Sequence, residues 1–322
     1  MVEFNLMPAH KSKLSVDLVI PIFNEAGVIE QTYGNIRAVI DSLPYEFNVF
    51  FVDDGSSDST NGSLTALARL DKRICLLTFS RNFGHQAALT AGLDASKGDF
   101  VITLDGDGQH PPEMIPEMLK LFEQGYDIVQ AQRIEGDEFV SFKQATSTGF
   151  YSLINRVSGT QMIPGAADFR GLSRQAVEAL KSMPEYHRFL RGMIAWMGYR
   201  SVILPYHERK RVAGRSKYSF GKMFRLAMDA IFSFSLVPLY VGMSMGGVLL
   251  CLAAIQIIYV LSFWFSGRSA ELEPGWSSLM AGMLVIGGMI MILLGFIGVY
   301  VGYIFQEVKR RPVYLLKKDK DE

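Results

Sequence analysis

Hydrophobic positions along this chain follow two different rules. In the first two thirds they form short runs separated by polar, helix-spaced segments. Toward the end come two stretches, residues 230–267 and 274–306, that contain no Asp, Glu, Lys or Arg. About 20 apolar residues in a helix cross the core of a bilayer, so each stretch is long enough. The pattern predicts a transmembrane helical hairpin over residues 235–308, with spans at 235–265 and 277–305.

The earlier part reads as an alternation. Leu14–Pro21, Phe47–Val52, Ile74–Phe79, Phe100–Leu104 and Asp127–Ala131 are short apolar runs with β-branched residues, the signature of strands. Between them lie helix-spaced segments: Glu25 to Ser42, Ser59–Leu70, His85–Ser96, and one around Pro112–Glu123. Continuous apolar strands alternating with helices predict an α/β domain with a mostly parallel sheet covered on both faces. Such sheets bind ligands beyond the carboxyl ends of their strands. Here those places follow Pro21, Val52 and Leu104. The sequence Glu135–Glu138 reads as a surface loop, and Ala167–Leu172 is a further short segment. Arg188–Met197 and Tyr218–Phe234 mix aromatics, aliphatics and basic residues, a pattern shared by interfacial amphipathic helices and ordinary domain helices. The segment 219–234 is taken as interfacial.

Composition sharpens this division. The 322 residues carry zero formal net charge, which argues against a nucleic-acid binder. Cys75 falls in a strand and Cys251 in the first apolar stretch, so there is neither a disulfide framework nor a metal-ligand spacing. The first residues show no apolar core of a secretory signal. Basic residues crowd both flanks of the hairpin: Arg209, Lys210, Arg211, Arg215, Lys217, Lys222 and Arg225 before it, and Lys309, Arg310, Arg311, Lys317, Lys318 and Lys320 after it. The connecting loop has Arg268 against Glu271 and Glu273. By the positive-inside rule both ends lie in the cytoplasm, and Trp264 and Trp276 mark the far interface of a multi-pass inner-membrane protein. Gly242, Gly246, Gly247, Gly295 and Gly298 permit close helix contacts. The Met-rich run of the hairpin reads as membrane core.

Three polar clusters sit where the sheet rule directs attention. Asp105-Gly-Asp107-Gly-Gln109 ends a strand, and aspartates two apart in a turn offer two carboxylates to one divalent cation. Its glycines allow close approach of a diphosphate, whose charge the cation would neutralise. Asp53-Asp54-Gly-Ser-Ser-Asp58 follows the second strand; a carboxylate there can accept from a nucleobase N–H or a ribose hydroxyl. Asp58 and Ser59 also read as helix caps. Pro21-Ile-Phe-Asn24-Glu25 follows the first strand. Turn and cap roles explain each cluster singly but not all three at one sheet edge. His85, His110, His187 and His207 read as surface or packing residues, with His110 adjoining the metal motif.

These pieces, with Asp168-Phe169-Arg170, Arg211-x-x-Gly214-x-Ser216-Lys217-Tyr218 and the tail Arg311-Pro312-x-Tyr314, resemble the family 2 inverting glycosyltransferases of GT-A fold. The likeness is strongest to the membrane-anchored polyprenyl-phosphate glycosyltransferases, a group that includes bactoprenol glucosyltransferases and dolichol-phosphate mannose synthases. The resemblance implies a GT-A catalytic domain over 1–218, an interfacial helix over 219–234, the hairpin over 235–308 and a basic tail over 309–322. It implies a nucleotide-sugar donor, UDP-glucose foremost with GDP-mannose as the alternative, a polyprenyl phosphate acceptor such as undecaprenyl phosphate, a Mg2+ or Mn2+ ion, and a homo-oligomer. A non-catalytic membrane scaffold that keeps the nucleotide-sugar fold is the reading from another class.

The resemblance also assigns roles to particular residues. Pro21, Glu25, Asp54 and Asp105 would bind the nucleotide sugar. Asp105, Asp107 and Gln109 would hold the metal. Asp168 would act as base or positioning group, with Arg211 and Lys217 as catalytic phosphate clamps. Arg133, Arg211 and Lys217 would hold the acceptor phosphate. A lipid phosphate is already anionic near neutral pH, so it hardly needs a base, and Asp168 is as well suited to orienting other groups.

Overall fold

The computed structural model describes residues 13–134, 166–186, 188–207, 237–267 and 275–317. They fall into two compact units: one holds the sheet together with the tail from Pro312 onward, the other the two long C-terminal helices.

The first unit is built on a seven-stranded sheet. In chain order its elements are β1 (Ser15–Ile22), α1 (Ile29–Ile40), β2 (Glu46–Asp53), α2 (Thr60–Leu70), β3 (Ile74–Thr78), α3 (His85–Ala95) and β4 (Phe100–Thr103). A 3-10 turn (Pro112–Met114) then leads into α4 (Ile115–Glu123), followed by β5 (Ile128–Arg133), β6 (Ala166–Ser173), α5 (Arg174–Lys181), α6 (Leu190–Trp196) and β7 (Ser201–Tyr206). The strand order is β3-β2-β1-β4-β6-β5-β7. All pairings are parallel except those of β6, which runs antiparallel between β4 and β5.

That one reversed strand matters. The carboxyl ends of β1, β2, β4 and β5 share an edge with the beginning of an antiparallel strand, so the start of β6 is delivered to the ligand edge. Its register is set where Thr103 pairs with Arg170 and Val101 with Leu172. Gly171 is required there because a Cβ would press on the Phe122 ring, 2.6 Å from Cζ.

The core explains the apolar strand runs. Leu18, Ile20, Val49, Phe51, Ile102 and Phe169 are completely buried, and Ile29, Ile36 and Ile40 of α1 close one face. Asp17 is an exception inside β1. It is fully buried and accepts the backbone N–H groups of Lys97 (2.7 Å) and Gly98 (2.6 Å) and the Asn48 amide (2.9 Å). A buried carboxylate survives only with such partners, and here it ties the end of α3 to the sheet.

Arg188–Met197 contributes α6, whose Leu190, Met193 and Ile194 are buried. Its apolar side therefore packs as that of an ordinary domain helix, not as an interfacial one. Segment 219–234, the Glu135–Glu138 loop and His187 lie outside the described residues.

The second unit contains α7 (Val237–Phe265) and α8 (Trp276–Lys309). The two helices contact one another. A Cβ on Gly242 would run into Leu293, so this glycine marks a close approach, whereas Gly246, Gly247, Gly295 and Gly298 have open space. Among the described residues one stretch, Val285–Lys309, is long and apolar enough to cross a membrane, with mean hydropathy 2.3.

Candidate active site

The loops after β1 and β2 are fastened to each other. Asn24, at φ 54°, accepts the Ser57 N–H at 2.9 Å and donates its own N–H to Ser56 Oγ at 3.0 Å. Glu25 N–H reaches Thr60 Oγ1 at 3.0 Å. Asp53 accepts Ser56 N–H and the Asn61 amide, and Asp58 accepts the Thr60 N–H, capping α2. Ser59 makes no side-chain cap.

Asp54 is buried and accepts the backbone N–H of Phe83 at 2.7 Å and of Gly84 at 3.0 Å. Burial raises its pKa while those two amides pull the other way. Gly55 sits at φ +67°, with the backbone of Arg81 and Asn82 within 2.9 Å of where a Cβ would be. Only glycine tolerates both that conformation and that contact. The cluster after β2 thus forms one wall together with the loop after β3.

The Asp105 to Gln109 turn lies against the end of β1. A Cβ on Gly106 would strike the Ile22 side chain and come within 3.0 Å of the Pro21 carbonyl. Asp107 Oδ1 accepts the Gln109 N–H at 3.1 Å. Asp105 donates its N–H to His110 Nδ1 at 2.9 Å, and His110 stacks on Phe169 at 4.9 Å. His110 is therefore a packed support under the metal motif, as its sequence position implies.

Asp105 Oδ1 is buried and accepts no hydrogen bond. A carboxylate oxygen that accepts no hydrogen bond, with His85 Nε2 3.6 Å away and a second aspartate two residues on, fits a divalent cation. Among the described residues no group of three or more His, Cys, Asp and Glu forms a ready cage. Two carboxylates suit a hard ion that completes its shell with substrate phosphate and water.

Asp168, near the start of β6, is the electrostatic centre. Its Oδ1 accepts from Arg170 Nη2 at 2.7 Å and Arg191 Nε at 3.0 Å. Its Oδ2 accepts from Arg191 Nη2 at 3.0 Å, faces His85 Nε2 at 3.3 Å, and lies 3.5 Å from the Gln86 amide. Burial works against the carboxylate's charge, but Arg191, His85 and Arg170 outweigh it and hold its pKa well below the usual range. Burial pulls Arg170 down to about 10 against the pull of Asp168. His85 is exposed to solvent, and its Nε2 is also 3.6 Å from Asp105 Oδ1. Burial disfavours its charge, while the hydrogen bond to Asp168 and the nearby carboxylates raise its pKa overall.

Pro21, Glu25, Asp54, Asp105, Asp107, Gln109 and Asp168 therefore gather along one edge of the sheet. Arg133 ends β5 at that edge and is exposed. Arg211 and Lys217 lie outside the described residues. His85 is exposed, in keeping with a surface position, but its place between Asp105 and Asp168 was not foreseen. Gln86 and Arg191 were also missed. The sheet rule applied after β3 would have flagged His85 and Gln86, because α3 starts at the same edge. Arg191 left no local signal.

Comparison with known proteins agrees with this geometry. The glycosyl transferase family 2 profile matches residues 17–181. The bactoprenol glucosyl transferase of a prophage in Shigella flexneri is 37% identical over 309 residues, 95% of this chain and 98% of its own length. An uncharacterized glycosyltransferase of Synechocystis sp. is 36% identical over 304 residues, 94% of this chain and 95% of that protein. Among solved structures, glucosyl-3-phosphoglycerate synthase from Mycobacterium tuberculosis, in complex with Mn2+, UDP and glucosyl-3-phosphoglycerate, superposes with a TM-score of 0.50. It covers 69% of this chain and 80% of its own at 18% identity, a likeness of fold. With the family profile spanning the sheet and near-full-length relatives beside it, the chain belongs to glycosyl transferase family 2.

Proposed function

We propose that this enzyme transfers glucose from UDP-glucose to undecaprenyl phosphate, inverting the anomeric centre and releasing UDP. The observation that carries this reading is the pairing of an Asp105 oxygen that accepts no hydrogen bond with a cationic cluster around Asp168. The first suits a metal-bound diphosphate and the second an anionic acceptor. The near-full-length likeness to bactoprenol glucosyl transferases supports the choice of sugar and lipid.

In this reading the uracil and ribose lie against the Asp54 wall, beside Pro21 and Glu25. Asp105 and Asp107, with Gln109, hold a Mg2+ or Mn2+ ion. When bound, that ion neutralises the leaving diphosphate. The acceptor phosphate is anionic already, so its oxygen attacks the anomeric carbon without losing a proton to the protein. Asp168 is neutralised by Arg170, Arg191 and His85 and is a poor base at any physiological pH. It aims Arg191, whose side chain is 24% exposed, at the incoming phosphate. Arg133, Arg211 and Lys217 complete the acceptor grip. The apolar helices form a membrane hairpin with both chain ends in the cytoplasm, so that the soluble site meets the lipid headgroup.

The test offers several labelled nucleotide sugars with undecaprenyl phosphate to the full-length protein and identifies the lipid product by mass. UDP-glucose should give a glucosyl phospholipid, and product should vanish in Asp105→Ala and Asp107→Ala. Full activity in either variant would end the metal assignment; a mannosyl product from GDP-mannose alone would replace the donor.

A further inference from the structure

The tail beyond α8 is part of the catalytic unit. Arg310 and Arg311 separate the last residue of α8 from Pro312, and from there the chain belongs with the sheet. Leu316 makes an antiparallel bridge to Phe79, just past the end of the edge strand β3. Ser80 donates its N–H to the Leu315 carbonyl at 2.9 Å, and Lys317 donates to the Thr78 carbonyl at 2.8 Å. The Tyr314 ring stacks on Phe79, centroids 5.2 Å apart, and its hydroxyl donates to Asp94 at 3.1 Å. Val313 and Tyr314 pack on a buried group formed by Val52, Phe79, Ala87, Ala88 and Ala91.

What the tail covers is the back of the donor wall. Phe79 meets Phe83 edge-on at 5.6 Å. Phe83 and Gly84 supply the two amides held by Asp54, and His85 follows directly. The backbone of Arg81 and Asn82 presses on Gly55 from the same loop. The Ser80–Gly84 loop is thus clasped between the Asp54-Gly55 turn on one side and the tail on the other. It has no strand pairing of its own to hold it there.

We propose that the Pro312–Lys317 tail is a clamp that positions the Ser80–Gly84 loop for donor binding, with Tyr314 as its positioning residue. The consequence for nucleotide affinity rests on the donor reading above. A two-residue link, Arg310-Arg311, joins the clamp to the end of α8. Residues 17–181 carry the family match, so the clamp lies wholly outside it.

The experiment uses the full-length protein in detergent with Tyr314→Ala and Tyr314→Phe. Hydrogen exchange is read on peptides covering Ser80–Gly84, and UDP affinity is read with Mn2+ present. In Tyr314→Ala exchange of that loop should rise about tenfold while β1 and β4 stay protected, because the stack and the hydroxyl bond are both lost. UDP should bind about tenfold more weakly, and the KM for donor should rise with kcat changing less than about twofold. Tyr314→Phe keeps the stack and should recover most of both effects. Unchanged loop exchange in Tyr314→Ala overturns the clamp. Faster exchange with unchanged UDP affinity overturns its link to the donor. Failure of the wild type to bind UDP would strike the donor reading instead, and loop exchange would still decide the clamp.

Discussion

Replacing Asp168 by Asn keeps the side chain's shape and removes its charge. In the native site Asp168 and Arg170 are both nearly buried, with side-chain exposures of 7% and 4%, and Arg191 is 24% exposed. Stranding a buried charge typically costs about 3–5 kcal/mol. Asn keeps one acceptor oxygen and Arg191 can turn to water, so the lower end applies, about 3 kcal/mol. For a domain of about 200 residues each kcal/mol moves the melting temperature about 2–4 °C, so Asp168→Asn should melt about 6–12 °C below the wild type. Thermal unfolding of the full-length protein measures this. Adding Arg170→Met to Asp168→Asn removes the stranded charge and should regain at least about 1 kcal/mol, a non-additivity that a simple catalytic base would not show. A single variant melting within about 2 °C of the wild type would refute the view of Asp168 as the anchor of a cationic cluster.

Three further outcomes follow from the same structure. Gly106→Ala forces the Asp105 turn away from Pro21 and Ile22; it should cost about 1–3 kcal/mol by overpacking and lower kcat/KM at least about tenfold, checked by unfolding and steady-state kinetics. Asp17→Ala leaves the Lys97 and Gly98 amides without their acceptor deep in the fold and should destabilise by about 3 kcal/mol, with the UDP affinity of the folded fraction unchanged by titration. The stability gap between wild type and Asp168→Asn should depend on pH in a defined way. Asp168 is shifted down, so its stabilisation is fully present above the ordinary carboxylate value of about 3.9 and fades as pH falls toward the folded value. His85 is shifted up, so its share is present below about 6.5 and fades as pH rises through its folded value. The gap should therefore be widest between about pH 5 and pH 6; a gap that grows from neutral pH into alkali would contradict the His85 sign, and one that widens as pH falls below about 4 would contradict the Asp168 sign.

How far the sequence disclosed this arrangement depends on the range of the interactions. The parallel strands were legible because burial on both faces leaves continuous apolar runs such as Leu18–Ile22 and Val49–Val52. Asp105 and Asp107 were legible because two carboxylates and two glycines stand within one turn. The reversed strand β6 was not, because its place between β4 and β5 is set by pairing with residues about 70 and 40 positions earlier in the chain, well beyond any local periodicity. Arg191 was hidden for a related reason. Its helix reads as one more amphipathic segment, and only the sheet order brings it to Asp168. The place of His85 was not legible because a lone histidine opening a helix carries no pattern; it comes from Asp105 in the turn after β4 and Asp168 in β6. The tail was read as basic residues after an apolar span, with Tyr314 placed only in a family motif, because its partners Phe79 and Asp94 are far upstream.

The electrostatics of the site favour a division of labour over proton transfer. A general base must hold its proton with an affinity near the working pH, yet Arg191, His85 and Arg170 all push Asp168 the other way. The same neighbours make sense if the incoming group is an anion. Arg170 is buried and structural, whereas Arg191 keeps a solvent-facing side, so a phosphate can reach the second without unpacking the first. On the donor side the balance is reversed. Asp105 Oδ1 lacks a hydrogen-bond donor, a cost of folding that a cation bound with the donor would offset. His85 lies between the two regions, within 3.6 Å of Asp105 and 3.3 Å of Asp168, and so feels both fields. Under the proposed function, a site arranged this way would gain affinity for a metal-bound donor and for an acceptor phosphate from separate sets of residues, leaving the departing diphosphate, not the nucleophile, as the group whose charge must be managed.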